Sequence, residues 1–238
     1  MGVIPYEYLY FAGKSSEDFN CHISGSGTFN SPEKDVENVS VPGRNGDLHI
    51  DSGRFKNIEI IYPAFITKNF KDNYDALKAF LLSQSGYKRL QDSYHPDYYR
   101  RARFKGRIEP SMSTLNRAAS FELGFDCDPR RFLVTGEIKN EIETPGVLFN
   151  RTRFEALPLI RAYGTGSFYI NGIVIQITSA DGYTDIDCEL QEAFKGSVNC
   201  NGNIVLTDGK FPVLSPGLNN ITYTGITKLE VTPRWWTV

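Results

Sequence analysis

The stretch that decides the fold of this 238-residue chain is Phe168-Tyr169-Ile170-Asn171-Gly172-Ile173-Val174-Ile175. Asn and Gly both tolerate the positive φ angles that a two-residue type I′ turn requires. A turn at this Asn-Gly pair places Ile170 opposite Ile173 and Phe168 opposite Ile175, with all four side chains on one face. The stretch therefore predicts a β-hairpin that buries one face.

Two further Asn-Gly pairs occur in the chain, and the same turn geometry predicts hairpins at both. The predicted facing pairs are Val41 with Ile50 across Asn45-Gly46, and Val198 with Val205 across Asn201-Gly202.

Apolar and polar residues alternate with the period of a β-strand in several other places. Each run has one face to bury and one to solvate, so an all-β class is predicted. The apolar and polar members of three such runs are Phe121, Leu123 and Phe125 with Ser120, Glu122 and Asp126; Ala102, Phe104 and Ile108 with Arg101, Arg103, Lys105 and Arg107; and Leu229 and Val231 with Lys228, Glu230 and Thr232.

Only residues 72–82 have helical spacing, with an apolar stripe formed by Tyr74, Leu77, Phe80 and Leu81. Asp72 is the predicted cap, Asp75 lies near the positive end of the helix dipole, and Gly86 is the predicted stop. One helix among many strands predicts a sandwich or barrel with a helix packed on it.

The composition is that of a globular protein, with 40% hydrophobic and 23% charged residues. The 16 Phe and 13 Tyr favour sheet, and the net charge of -2 gives no excess of positive charge for nucleic acid or an anionic membrane. Residues 1–7 lack a basic segment followed by an apolar run, so we expect no secretion signal and folding in a cytoplasm.

The four cysteines are Cys21, Cys127, Cys188 and Cys200, and no two form a CxxC pair. Because a cytoplasm keeps thiols reduced, we interpret them as small buried hydrophobes. A disulfide between two of them is the alternative.

A domain boundary is predicted within residues 127–146, where Pro129, Gly136, Pro145 and Gly146 interrupt the alternation. We place it near 135, giving domains 1–135 and 136–238. Strand-like runs at 156–163, 166–177, 183–190, 203–207, 220–225 and 227–235 are enough for an independent sandwich in the second domain.

The sequence offers few candidates for catalysis or metal binding. His22, His49 and His95 lie in different segments without partners at zinc-ligand spacing, and no G-x-S-x-G motif occurs. No cofactor is therefore expected.

Three carboxylates, Asp185, Asp187 and Glu189, share one face of a predicted strand. They could hold calcium or form a glycosidase pair. The alternative is a solvated strand face, with Ile186, Cys188 and Leu190 inward.

Arg101, Arg103, Lys105 and Arg107 share a face beside Tyr98 and Tyr99 and form the single basic cluster. Aromatic residues beside positive charges are typical of nucleic-acid contacts. The other interpretations are a solvated strand or an interface strand that meets an acidic neighbouring subunit, and the negative net charge favours these two. The four residues are our candidate subunit interface.

Several strings together resemble the distal tail proteins of siphophages, in the family's order and across nearly the whole chain. They are Val41-Pro42-Gly43-Arg44-Asn45-Gly46-Asp47-Leu48, Arg54-Phe55-Lys56-Asn57-Ile58-Glu59-Ile60, Asp185-Ile186-Asp187-Cys188-Glu189, Phe211-Pro212-Val213-Leu214-Ser215-Pro216-Gly217-Leu218-Asn219 and Val231-Thr232-Pro233-Arg234-Trp235-Trp236.

The resemblance implies a non-enzymatic structural protein of the virion: a homo-hexameric hub ring at the distal end of the tail tube, assembled in the cytoplasm of the bacterial host. It implies an N-terminal β-sandwich or split barrel with one α-helix that forms the ring and docks on the tail tube protein. It also implies a peripheral C-terminal galectin-like β-sandwich. Further implied partners are a tail-associated protein and receptor-binding or baseplate proteins, with DNA passing through the lumen without specific binding and no membrane contact.

One departure concerns sugar binding. Galectins bind sugar with a His, Asn and Arg set and a Trp, whereas residues 136–238 contain no His and their two tryptophans are Trp235 and Trp236. Two other functions remain open as alternatives. One is a carbohydrate-binding module that uses Tyr163, Phe168 and Tyr169 as a stacking platform, and the other is a glycan-degrading enzyme that uses the acidic face.

Overall fold

The computed structural model of the chain describes residues 7–25, 28–113 and 117–238. Residues 1–6, on which the expectation about a secretion signal mainly depends, lie outside this part. The chain separates into two compact units, Met1–Arg131 with Val238 (unit 1) and Phe132–Thr237 (unit 2). Each unit has its own cluster of buried apolar side chains.

Unit 1 is built from β-strands and one α-helix. Its elements are β1 (Leu9–Phe11), β2 (Lys14–Ser15), β3 (Cys21–Ile23), β4 (Lys34–Val39), β5 (Leu48–Phe55), β6 (Ile58–Ile66), α1 (Phe70–Ser83), β7 (Lys88–Asp92), β8 (Tyr98–Phe104), β9 (Ser111–Ser113) and β10 (Ala118–Cys127).

The main sheet of unit 1 has the order β2-β1-β7-β8-β10-β6-β3, and β9 pairs with β10. Its long central pair, β6 and β10, is antiparallel and buries every second residue. The predicted alternation in β10 is confirmed, since Phe121, Leu123 and Phe125 are buried while Ser120 and Glu122 are exposed.

Helix α1 packs its predicted stripe into the same core, with Leu77 and Leu81 buried. It begins at Phe70, two residues earlier than predicted, because Phe70 is itself part of the core. The prediction that Asp72 caps the helix is wrong: Asn69 occupies the cap position without a side-chain hydrogen bond, and Asp72 lies in the first turn. No helix in the described ranges is long and apolar enough to span a membrane.

Strands β4 and β5 form a separate two-stranded sheet. The predicted register at Asn45-Gly46 is wrong, because Ile50 lies opposite Glu37 and not Val41. The last pair before the loop is Val39 with Leu48, so the connection spans eight residues, 40–47, instead of two. Within it, Gly43 and Gly46 adopt positive φ but Asn45 does not, whereas a type I′ turn needs positive φ at both Asn45 and Gly46.

Unit 2 is all β apart from short 3₁₀ turns. The strands are β11 (Arg131–Leu133, which begins at the last residue before unit 2), β12 (Asn140–Ile142), β13 (Gly146–Asn150), β14 (Leu159–Tyr163), β15 (Gly166–Ile170), β16 (Ile173–Ile177), β17 (Tyr183–Asp187), β18 (Glu192–Lys195), β19 (Val198–Asn199), β20 (Ile204–Leu206), β21 (Gly217–Thr224), β22 (Lys228–Thr232) and β23 (Trp236–Thr237).

Two sheets of unit 2 enclose one core, which makes it a sandwich. A six-stranded sheet has the order β12-β22-β14-β17-β18-β19, and a five-stranded sheet has the order β13-β21-β15-β16-β20. Ile160 and Ile186 of the first sheet and Phe168 and Ile175 of the second belong to the same buried cluster. The predicted mainly-β class with one helix is therefore confirmed. Strand β12 lies within residues 127–146, where the sequence suggested a break, and β13 begins at the end of that stretch.

The hairpin at Asn171-Gly172 is confirmed in detail. Ile170 lies opposite Ile173 and Phe168 opposite Ile175, and both turn residues have positive φ. The third Asn-Gly prediction is wrong: residues Asn201–Asn203 form a 3₁₀ turn, and Val198 and Val205 pair with Lys195 and Gln176.

All four cysteines are buried and free, as interpreted, and the alternative of a disulfide is not realised. Burial raises the pKa of the Cys21 and Cys127 thiols to about 12.

The Asn-Gly pairs at residues 171–172 and 201–202 provide a matched test of the turn. Gly172 has φ +89 with no atom within 4 Å of an added Cβ, so Gly172→Val would suffer from backbone strain alone. We expect a loss of about 1–3 kcal/mol in the free energy of unfolding, measured by denaturant titration. The control Gly202→Val, at an equally open site without positive φ, should stay within about 0.5 kcal/mol of the parent. Equal losses in both variants would contradict the assignment of strain to residue 172.

Candidate subunit interface

The predicted basic face lies at the end of β8 and in the segment that follows it. Strand register places Arg103 beside Asp126 of β10, and Asp126 beside Glu59 of β6. Arg103 Nε donates to Asp126 Oδ2 at 2.7 Å, and Lys105 Nζ lies 2.9 Å from Glu59 Oε1. Arg103, Asp126, Glu59 and Lys105 thus form one charge row of two cations and two carboxylates.

The other two residues of the face lie apart from this row. Arg107 forms an ion pair with Glu109 in its own segment, and Arg101 is half-buried opposite Arg89 of β7. The hydrogen bond to Asp126 raises the pKa of Arg103. Because Arg103, Lys105 and Arg107 each have a carboxylate within their own chain, the face offers little uncompensated positive charge to a nucleic acid.

A second exposed feature of unit 1 is the β4–β5 hairpin, whose separateness the sequence did not reveal. Leu48 and Ile50 share one exposed face of β5, while Arg54 donates to Asp35 at 2.7 Å across the two strands. A two-stranded hairpin alone is marginally stable in water, so contact with a further surface would stabilise it.

The acidic strand of unit 2 is not a solvated face. Asp185 and Asp187 are only 5% and 4% exposed, and Leu190, predicted inward, is 64% exposed. The alternation stops because β17 ends at Asp187, whose Oδ1 accepts the backbone N–H groups of Glu189 and Leu190 in a turn.

Two arginines that sequence reasoning did not single out neutralise these carboxylates. Arg161 donates to both oxygens of Asp185 at 2.6 and 2.8 Å, and Arg234 donates to both oxygens of Asp187 at 2.7 Å. Glu189 lies 3.6 Å from Arg234. Arg161 could have been suspected, because it occupies an outward position in the neighbouring predicted strand; nothing in the local pattern marks Arg234.

The surroundings of Asp185, Asp187 and Glu189 argue against both chemical alternatives, a calcium site and a glycosidase pair. Burial would raise the pKa of Asp187, but hydrogen bonds from Arg234 and from two backbone amides outweigh it and hold the pKa below its usual value. Asp187 is therefore not the protonated acid of a glycosidase pair, and Arg234 holds both of the oxygens that a nucleophile or base would use. Within the described residues, no group of three His, Cys, Asp or Glu side chains could hold a metal ion.

The aromatic platform of the carbohydrate-binding alternative is wrong as predicted. Phe168 is fully buried in the core. Tyr169 is exposed on the five-stranded sheet, whereas Tyr163 belongs to the six-stranded sheet and donates to Glu230 at 3.3 Å. The three rings therefore share no surface.

Asp187 should contribute strongly to stability. Asp187→Asn leaves Arg234 without its charged partner, so we expect a loss on the order of 3 kcal/mol in thermal or denaturant unfolding. Because the folded-state pKa of Asp187 is lowered, this contribution is present above its unfolded pKa of about 3.9 and is lost as the pH falls through the lower folded value.

The matched control is Asp181→Asn, which removes an equally close ion pair to Lys195 at a fully exposed carboxylate. It should change stability little, because exposed pairs are screened by solvent. Equal effects of the two substitutions would show that the buried pair contributes no more than a surface pair.

Comparisons by sequence place the chain in no group: no family model matches it, and no curated protein matches it. Comparisons by structure do find proteins of similar fold. The Dit protein of phage SPP1, described as a paradigm of the hub adsorption apparatus in phages infecting Gram-positive bacteria, matches with a TM-score of 0.77 at 12% identity. The match covers 97% of this chain and 99% of that protein.

Two structures of the phage P2 baseplate in its activated conformation match less closely. The form with calcium gives a TM-score of 0.51 at 10% identity, and the form with strontium gives 0.50 at 11%; each match covers 94% of this chain and 96% of the other. The chain therefore has, over nearly its whole length, the fold of the distal tail and baseplate hub proteins of siphophages.

Proposed function

We propose that this protein is the hub subunit at the distal end of a siphophage tail tube, a structural component of the virion. The observation that carries the proposal is the near-complete coverage of both chains in the match to the SPP1 hub protein. A match across both units supports a common two-unit architecture. A match to one sandwich alone would not, because single sandwiches occur in many unrelated proteins. The resemblance of the sequence strings to distal tail proteins supports the same role independently.

In this proposal the functional form is a homo-hexameric ring, and the two units have different tasks. Unit 1 builds the ring and docks on the tail tube protein, and unit 2 lies at the periphery. The separate cores of the units support a division of labour, because each can change its surface without disturbing the other's packing.

Ring contacts in unit 1 would involve its two exposed features. A head-to-tail contact repeated by rotation joins two different surfaces of the same subunit. The β4–β5 hairpin supplies an exposed surface that needs a neighbour, and the basic face of Arg101, Arg103, Lys105 and Arg107 supplies a charged one. Because Arg103, Lys105 and Arg107 already pair with carboxylates of their own chain, the face would meet a surface on the next subunit that also carries both signs of charge.

The remaining partners follow from the position of a hub. A tail-associated protein would occupy the opposite ring face, and receptor-binding or baseplate proteins would attach through unit 2. DNA would pass through the lumen without specific binding. Assembly would take place in the cytoplasm of the bacterial host, and catalysis has no part in this role.

Ring assembly should depend on the basic face. In Arg101→Glu/Arg103→Glu, the new carboxylate at residue 103 lies beside Asp126 and disturbs the row, and the one at residue 101 lies opposite Arg89. We expect a lower assembled mass by light scattering, with an unchanged circular dichroism spectrum. Higher salt should weaken assembly of the parent protein, since the distance over which exposed charges interact, about 8–10 Å at physiological ionic strength, shortens as salt rises.

The control is Arg151→Glu/Arg153→Glu, which makes the same charge change at exposed positions of unit 2. It should assemble like the parent. A parent that stays monomeric at high concentration, also when mixed with tail tube protein, would overturn the ring.

Independent folding of unit 2 can be tested with two fragments. Residues 132–238 retain two bonds that close the unit: Leu133 N–H donates to the Trp235 carbonyl and Arg234 N–H to the Gly136 carbonyl, each at 2.8 Å. We expect dispersed amide signals in the NMR spectrum of this fragment. The fragment 136–238, cut near the boundary predicted from sequence, loses β11 and should be less stable. A collapsed spectrum for residues 132–238 would mean that unit 2 needs unit 1 to fold.

A further inference from the structure

The edges of the two sheets in unit 2 differ in how well they are protected. Alternate residues of an edge strand turn their backbone N–H and C=O groups away from the sheet, where another strand can pair with them. Short length and charged side chains are the usual protection. In the six-stranded sheet, edge strand β12 carries Glu141 and edge strand β19 has only two residues. In the five-stranded sheet, edge strand β20 has only three residues.

Strand β13, the other edge of the five-stranded sheet, has neither protection. It is five residues long, Gly146–Asn150, and contains no charged residue. Its outward side chains, Val147 and Phe149, are 60% and 56% exposed. Within the described part of unit 2, no strand pairs with β13 on the side away from β21.

The sheet face beside β13 is uncharged as well. Strand register and burial place outward residues on all five strands, among them Val147, Phe149, Tyr169, Val174, Val205 and Leu218, and none of the outward residues is charged. The outer face of the six-stranded sheet, in contrast, carries the Arg161–Asp185 pair and Glu230 with its two lysines. In a two-fold contact each residue meets the same surface of the second copy, and an uncharged face brings no like charges together there.

We propose that β13 is a docking edge for a second copy of this chain, with the two β13 strands pairing antiparallel to join their five-stranded sheets into one. A two-fold axis perpendicular to the sheet makes adjacent copies of the same strand antiparallel. A register centred on Leu148 places Val147 opposite Phe149 of the second copy, an aromatic with a β-branched residue. Such cross-strand pairs stabilise sheets.

This contact goes beyond the proposed ring and is physically different from it. The ring contact is head-to-tail and involves charges, so it weakens as salt rises. The β13 contact is two-fold and uncharged, so salt should not weaken it, and excluded salts such as sulfate should strengthen it. The β13 contact therefore joins two copies of the chain independently of whether the ring contact forms.

The test is sedimentation of the full chain over a range of concentrations, in the Arg101→Glu/Arg103→Glu background so that ring assembly does not interfere. The parent of this series should double its mass as concentration rises. Phe149→Lys places a charge in the apolar pair twice per dimer, and should raise the dissociation constant about tenfold or more. Val147→Lys, at the facing position, should act in the same way.

The matched control is Leu218→Lys, because Leu218 lies directly opposite Phe149 on β21 and is 66% exposed. It is one strand inside the edge, so edge pairing should tolerate the change. Hydrogen exchange should also slow at amides of residues 146–150 as the dimer forms.

Three results would overturn the proposal. One is a mass that does not double at any concentration, which would leave the edge to a strand from a different protein. Another is equal disruption by Phe149→Lys and Leu218→Lys, which would indicate packing of sheet faces. The third is a dimer with unchanged exchange at residues 146–150. Retained near-ultraviolet circular dichroism in each variant shows that the fold is intact.

Discussion

The nine-pair antiparallel ladder between β6 and β10 is the constraint on which the rest of unit 1 depends. Because side chains in a strand alternate between two faces, fixing this register fixes both at once. One face supplies Ile60, Leu123 and Phe125 to the core against which α1 packs. The other face brings Glu59, Asp126 and Arg103 into one row. A slip by one residue would move the apolar residues to solvent and break up the charge row, so the packing and the proposed interface share one determinant.

Unit 2 differs from unit 1 because its six-stranded sheet buries charged groups on the face turned away from the core. Taking carboxylates out of water is costly unless each is matched by a cation with good geometry. Bidentate arginines meet this requirement for Asp185 and Asp187. Arg234 adopts positive φ, and Gly136 accepts its backbone N–H, so the terminal segment is held where its guanidinium reaches Asp187. The charge pair therefore ties the end of the sandwich to its middle strands.

Local rules predicted well where the neighbouring residues themselves determine the structure. The Asn171-Gly172 hairpin needed only turn preference and apolar alternation, and both agreed. At Asn45-Gly46 and Asn201-Gly202 the same dipeptide stands in a long loop and in a 3₁₀ turn, because alternation on both sides did not enforce a two-residue connection. The core positions of β10 and the helical stripe of α1 could be predicted for the same reason as the first hairpin.

Contacts between residues distant in sequence could not be predicted in this way. Asp187 and Arg234 are 47 residues apart, and the strand pattern indicated solvent where the structure has a buried ion pair. Strands β12 and β13 begin within or at the end of the stretch that looked like a linker, because Pro145 and Gly146 interrupt the pattern without ending the sheet. For the candidate interface, the sequence identified the cations but not their partners on β6 and β10, which only the register reveals.

The four buried thiols allow the local opening of each unit to be measured separately. Cys21 and Cys127 lie in unit 1, and Cys188 and Cys200 lie in unit 2. Alkylating reagents attack the thiolate, and the raised pKa values of Cys21, Cys127 and Cys188 keep these thiols protonated and unreactive while the protein is folded. Labelling of each pair therefore measures how often the surrounding sheets separate. The opening frequencies of the two units can therefore be measured separately in one intact chain.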